Sequence, residues 1–234
     1  MKLILNTIAL TLLLCSCYEN PTPPSIPMQE IKGRDYDGLR FNVYRVRVPI
    51  YWIRRESFPE ESLTDTKKSI CEFLIPHSNE SIRISIHNFP SESIDQRIPP
   101  AAQVARWQRQ FEILYPEESG IVPQAFSGYS GLKFKGVGRL KPEVKDHEAK
   151  VQEGKSATLT QDTTVIGWSL QIGKDHYRAL SHPLKPSENN LYREMRADVT
   201  IKVQGPKELM QEHEEEIITF ARSFELIEEI PYAP

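Results

Sequence analysis

Apolar residues recur along this chain with two periods. From Leu39 to Trp52, LRFNVYRVRVPIYW places Leu39, Phe41 and Val43 on one face and then shifts phase to Val46, Val48 and Ile50. That shift predicts a bulge or bend between two short strands, with Pro49 ending regular pairing. Ile70 to Ile75 reads as a further strand, and Ile82, Ile84 and Ile86 alternate with Arg83, Ser85 and His87 in another. The period then lengthens. Pro99 and Pro100 stand where a first helical turn tolerates proline, and Ala101, Val104, Trp107, Phe111 and Leu114 recur at steps of three or four. They predict an amphipathic helix ending near Pro116.

Strand patterns return at Gly131 to Gly136, Ala157 to Thr160, Val165 to Ile172 and His176 to Leu180, with Gly173-Lys174-Asp175 as a tight hairpin turn. Met195, Ala197, Val199, Ile201 and Val203 alternate strictly with Arg196, Asp198, Thr200 and Lys202, which is the clearest strand signal in the chain. Gly205-Pro206 breaks it and opens a helix from about Lys207 to Phe224, striped by Met210, His213, Ile217, Phe220, Ala221 and Phe224. Lys141 to Asp162 and His182 to Asn190 are polar and turn-rich and read as loops. The expected fold class is α+β, a mostly antiparallel β-sheet packed by two main amphipathic helices. Its β-rich character agrees with 20 Ile and 11 Val against 10 Ala beyond residue 16.

Composition bounds the function. The 234 residues carry a formal charge of −3, with 39% apolar and 26% charged residues. These values fit one globular domain, exclude a polytopic membrane protein or a disordered chain, and give no general attraction to nucleic acid.

The N-terminus departs from that average. MKLILNTIALTLLLCS has one charge, Lys2, followed by an apolar run from Leu3 to Leu14. The run has the form of a secretory signal and falls short of the ~20 residues a spanning helix needs. Leu14-Cys15-Ser16-Cys17 then resembles the lipobox of bacterial lipoproteins: an aliphatic residue, a small residue at −1, then cysteine. The resemblance implies cleavage after Ser16, S-diacylglycerol and N-acyl lipidation of Cys17, and attachment to a membrane through those chains. Cys15 would leave Leu14 at a cleavage position that needs a small side chain.

Residues 1–16 are therefore the expected lipoprotein signal peptide. Residues 17–27 form the lipidated N-terminus and a proline-rich tether (YENPTPPSIP), and residues 28–234 form a single globular domain. The extended tether reaches up to ~30 Å at ~3.1 Å per residue. In the lipoprotein family, an aspartate at the position of Tyr18 favours inner-membrane retention. Tyr18 thus implies the outer membrane, with the periplasmic face of the inner membrane as the alternative. The cleaved chain has 218 residues and a charge of −4, because Lys2 leaves with the signal. Cys71 then has no partner for an internal disulfide, and it shares a strand face with Phe73 and Ile75 as a small core hydrophobe.

The element order, with Val48-Pro49-Ile50-Tyr51-Trp52 early and Ser127-Gly128-Tyr129-Ser130-Gly131 centrally, resembles the PsbP-like sandwich over about Leu39 to Leu226. That superfamily comprises extrinsic photosystem subunits and a Ran-binding import factor. The resemblance says little about function beyond the binding and assembly that the fold mostly serves.

No motif points to chemistry. Ser127 to Gly131 has its second glycine one residue early for a nucleophile elbow and leads into a strand, so it reads as a flexible loop. Gly136-Val137-Gly138 lacks a third glycine and a following helix and reads as a turn. The six histidines have no metal-ligand spacing, and Glu214, Glu215 and Glu216 splay around a helix. No metal, cofactor or nucleic-acid partner is expected. Arg40, Arg45, Arg47, Arg54 and Arg55 form one basic group, and Lys133, Lys135, Arg139, Lys141 and Lys145 another. Either could meet anionic lipid or an envelope polymer, with ordinary surface charge as the simpler account.

The primary expectation is a lipid-anchored, non-catalytic envelope protein that binds another protein or a polymer. Two alternatives belong to other classes. One is an envelope hydrolase with a non-contiguous site, Ser130 with His176 or His182. The other is a surface-exposed adhesin or antigen.

Overall fold

A computed structural model describes residues 26–35, 38–56, 69–78, 80–91, 94–142, 161–182 and 185–227. The signal segment, Cys17, most of the tether, the expected strand at Ala157 to Thr160 and most of the loop from Lys141 to Asp162 lie outside these residues. The strands are β1 (Met28–Asp35), β2 (Gly38–Arg47), β3 (Ile53–Glu56), β4 (Cys71–His77), β5 (Glu80–Asn88), β6 (Phe111–Leu114), β7 (Gly120–Phe126), β8 (Tyr129–Leu140), β9 (Thr163–Ile172), β10 (Asp198–Pro206) and β11 (Glu225–Leu226). The helices are α1 (Pro100–Gln108), α2 (Lys174–Ala179), α3 (Asn189–Ala197), α4 (Lys207–Glu212) and α5 (Glu214–Arg222).

The fold is α+β, and every strand pairing among the described residues is antiparallel. The small sheet has the order β1-β2-β11. The large one runs β3-β4-β5-β10-β9-β8-β6, with β7 also paired to β8. The phase shift near Val43 is a real bulge. Ile31 faces Tyr44 and Lys32 faces Asn42, which leaves Val43 extra. Val43 and Tyr44 are in consequence both buried, while Phe41 is exposed.

Alternation along β9 sorts its side chains between two cores. Ile166, Trp168, Leu170 and Ile172 enter the main core. That core lies between the sheets and holds Trp52, Phe73 and Phe220 as a tilted aromatic cluster, with centroids 5.0–6.4 Å apart. Val165 faces the other way, into a smaller core with Val104 and Trp107 of α1, Phe111, Phe134 and Leu140. The large sheet is covered on both faces around its central strands. Asp198 and Thr200, which alternate with the apolar residues of β10, are therefore buried as well.

Several sequence expectations change. The helix expected to run through Leu114 stops at Gln108, and Phe111–Leu114 is β6, paired to the end of β8. Phe111 still reaches the Trp107 core, but from a strand, so the helical spacing of 107, 111 and 114 reflects a shared destination. His176 to Leu180 is helical, with Tyr177 and Leu180 donating backbone N–H groups to Gly173 and His176. Both residues are buried, one helical turn apart. Met195 and Ala197 belong to α3, which passes directly into β10 without a loop. Asn189 and Asn190 also belong to α3, inside the stretch read as a loop. The terminal helix breaks at His213 into α4 and α5. Gly136-Val137-Gly138 continues β8 where its pairing passes from β7 to β6, and no turn forms there. Ser127-Gly128 is a two-residue hairpin turn with φ of 51° and 79°, so the stretch read as a flexible loop is mostly strand.

Asn88 links the two sheets. Its side-chain oxygen accepts the Arg34 N–H at 3.1 Å, and its amide donates to the Arg34 carbonyl at 2.6 Å. The side chain thereby imitates one rung of a β-ladder between β1 and the end of β5. Asn88→Ala is expected to lower stability by about 2–3 kcal/mol, because both buried backbone groups lose their partner. A urea midpoint unchanged from wild type would contradict this.

Candidate functional site

The most perturbed titratable groups gather where α3 meets β10. A helix leaves its last carbonyls without intrahelical partners, and here no loop follows to supply water or turns. Three side chains from distant segments fill the gap. The Tyr44 hydroxyl donates to the Met195 carbonyl at 2.7 Å and the Tyr129 hydroxyl to the Arg196 carbonyl at 2.7 Å. Arg97 Nη2 donates to the Ala197 carbonyl at 2.9 Å. Arg97 also donates from Nη1 to the Ile172 carbonyl at 2.9 Å and from Nε to the Asp198 carboxylate at 2.6 Å. Arg196 is 1% exposed, and its guanidinium lies 3.6 Å from the centre of the Tyr192 ring.

Burial pushes both tyrosine hydroxyls up, which keeps them as donors. Burial likewise pushes the Asp198 carboxyl up, and the hydrogen bonds and charge of Arg97, with a hydrogen bond from Gln171, pull it back only in part. Perturbed groups of this kind often mark active sites. Here the tyrosine hydroxyls and Arg97 donate to backbone carbonyls or to Asp198, and the carboxylate and both phenols are buried. The cluster is therefore a structural cap. Sequence reading missed Arg97, Tyr44 and Tyr129 in this role, because no local spacing connects residues so far apart.

A cleft of about 230 Å³ opens between β8, β9 and α4–α5, lined by Glu118, Lys135, Thr164, Lys207, Met210 and Glu214 among others. Lys135 is paired with Glu214 at 2.7 Å and Lys207 with Glu118 at 2.7 Å. The charges of the cleft are thus internally matched, and its volume is below the ~300–1,000 Å³ of small-molecule sites.

The sequence-predicted residues are spread over the molecule. Cys17 and Ser16 are outside the described residues. Ser130 is an exposed β8 residue facing Gln171 and Ala125 across its ladders. The His176 ring covers the hairpin turn so closely that a side chain on Gly128 would stand 3.2 Å from it. His182 accepts the Lys185 N–H on Nδ1 and packs edge-on against Tyr192, 5.7 Å between ring centres. His176, on α2, thus packs on the turn between β7 and β8, and His182 is held in the loop before α3. No group of three or more metal-ligating side chains occurs among the described residues, and no helix among them is long and apolar enough to cross a membrane. Cys71 is fully buried.

In the second basic group, Lys135 is paired, and Lys133 lies over the Trp168 ring at 5.8 Å. Lys145 and the Arg40 side chain fall outside the described residues. In the first group, Arg45 binds Glu225, and Arg54 reaches Gln29 at 3.1 Å. Arg47 and Arg55 are exposed. They flank an apolar end of the molecule. Val48 donates its N–H to the Pro27 carbonyl at 3.0 Å, and Trp52 donates to Pro49 at 3.1 Å, closing a tight turn whose tip is Ile50-Tyr51. Ile50 is 86% exposed, and Ile26, Met28 and Ile53 are also exposed.

Neither a protein-family model nor a curated protein sequence matches the chain. Among solved structures, it is similar to the solution structure of cyanobacterial PsbP (CyanoP) from Synechocystis sp. PCC 6803, at 10% identity and a TM-score of 0.41, covering 92% of this chain and 99% of that one. At those values the likeness carries no functional argument.

Proposed function

We propose that this protein is a lipid-anchored bacterial envelope lipoprotein whose body serves binding or assembly, without catalysis. One observation carries the reading: Leu14-Cys15-Ser16-Cys17 closing a short apolar run with a single preceding lysine. Two or three acyl chains on Cys17 suffice to hold a soluble domain on a bilayer, whereas one chain binds only marginally. The proline-rich segment after Cys17 supports the same reading, because it links the anchor to the body with a reach of up to ~30 Å. Tyr18 favours the outer membrane. The partner is another protein or an envelope polymer.

Labelled palmitate tests the anchor. The wild-type chain is expected to incorporate label and to sediment with membranes, and Cys17→Ala to do neither. Label retained by Cys17→Ala would falsify the lipoprotein reading.

A further inference from the structure

We infer that the Ile50-tipped end of the body docks directly onto an anionic lipid surface, the bilayer that holds its own acyl chains. The inference rests on the lipoprotein reading for the identity of that bilayer, and on three features of the fold for the contact.

The first is where the tether arrives. Eight residues, 18–25, separate Cys17 from Ile26. Extended, they span at most ~30 Å. The described chain begins at Ile26-Pro27, and Pro27 is hydrogen-bonded to Val48, two residues before Ile50. The end that carries the apolar turn is therefore the end the tether holds against the headgroups, where its effective concentration is greatest.

The second is side-chain chemistry. Ile50 projects from a tight turn with 86% of its surface exposed, and Ile26, Met28 and Ile53 are 42–50% exposed. Aliphatic side chains that enter the interface beside arginines that meet phosphates are the two parts of interfacial binding. Arg47 pairs with Met28 in the ladder, and Arg55 follows Ile53 in β3. Arg54 joins the two regions by reaching Gln29 on β1.

The third is charge complementarity. Among the described side chains of this end, Glu225 is paired with Arg45, while Glu216 and Glu30 accept the neutral Tyr51 hydroxyl and Asn42 amide and keep their charge. Arg47, Arg54 and Arg55 outnumber those two carboxylates, so the local sign is positive, although the whole chain is mildly acidic.

The cysteine inventory makes the test direct. In the lipidated chain the Cys17 sulfur is a thioether and Cys71 is fully buried, so a thiol placed at Ile50→Cys is the accessible one. A bimane on that thiol would be read in the full-length lipidated protein, reconstituted into vesicles of phosphatidylethanolamine and phosphatidylglycerol carrying a nitroxide-lipid quencher. Asp175→Cys is the control. Ile53 shares a sheet row with Leu74, Arg83, Gln204 and Val165, whereas Asp175 lies beyond Ile172, seven residues further along β9, or ~23 Å.

Lipid quenching at position 50 but not at 175, weaker in pure phosphatidylcholine, is expected. Protein that stays with the vesicles while position 50 remains as water-accessible as 175 overturns the docking and leaves the anchor intact. The mature Cys17→Ala chain provides a second arm that needs no acyl group. It is expected to bind anionic vesicles weakly and salt-dependently, with a further loss of about tenfold in Ile50→Glu. Equal binding by both chains overturns the inference, as does protection of position 50 by peptidoglycan in place of vesicles.

Discussion

Arg97→Met is expected to lower stability by about 3–5 kcal/mol at neutral pH. Arg97 holds three separate groups at once: the Asp198 carboxylate, the Ala197 carbonyl and the Ile172 carbonyl. Methionine matches its apolar stem and leaves those acceptors buried without their donor, with Asp198 only 4% exposed. The loss has a specific pH signature. Burial already raises the Asp198 carboxyl, and removal of Arg97 raises it further, because the hydrogen bond and charge that oppose burial are gone. A folded-state pKa above the unfolded value of ~3.9 means that the native form binds a proton the unfolded chain does not. The variant should therefore regain stability as pH falls from neutral toward that unfolded value, and level off below it. Urea midpoints measured at several pH values decide the matter. A gap between wild type and Arg97→Met that does not narrow on acidification would show that the lost contacts are not those to Asp198. Arg97→Lys should keep the charge but recover only part of the stability, since one ammonium cannot reproduce the guanidinium fork.

Gly167→Val should cost about 3 kcal/mol for the opposite reason, an excess of atoms. The Trp107 ring of α1 lies flat against β9 where residue 167 has no side chain, and a Cβ built there would stand 2.3 Å from the ring. Trp107 is 2% exposed, with the Phe134 ring stacked against it at 6.5 Å, so it has no free space to enter. Inserting carbons into such a contact forces off-rotamer side chains or a shift of the helix. Trp107→Leu alone should cost about 2–4 kcal/mol by leaving a cavity. Combined, the two changes should cost clearly less than their sum, because the smaller ring position accepts the new side chain. Additive losses in thermal or urea unfolding would show that Gly167 is required for the strand backbone and not for the ring.

These two positions show where sequence legibility stops. Trp107 was visible as the apolar anchor of a helix, and the alternation of β9 was visible in Val165 to Ile172. That Gly167 is the seat for Trp107 was not, because the contact crosses sixty residues of chain and glycine has no pattern of its own. Phe111 reached its expected core through a different element for a related reason: burial is what hydrophobic spacing reports, and a strand that runs under a helix can satisfy helical spacing. The strict alternation from Met195 to Val203 did not show that Arg196 and Asp198 are both buried, Arg196 within α3 and Asp198 on β10, a central strand of the large sheet.

What the sequence determined by itself is local and one-dimensional. A short apolar run with a cysteine at its end, a proline-rich segment, period-two strands, two helical stripes and a phase break at Val43 are all properties of neighbouring residues. The expectation of a lipid anchor belongs to that class, since a lipobox is recognised as an unfolded segment. The tertiary structure decided the rest, because it depends on which distant groups meet. Three phenol or guanidinium donors cap one helix end, a side-chain amide joins two sheets, and the Ile50 turn stands exposed beside the point where the tether enters. Each compensates for a backbone group or leaves an apolar one uncovered, and both outcomes are set by packing that no window of sequence contains.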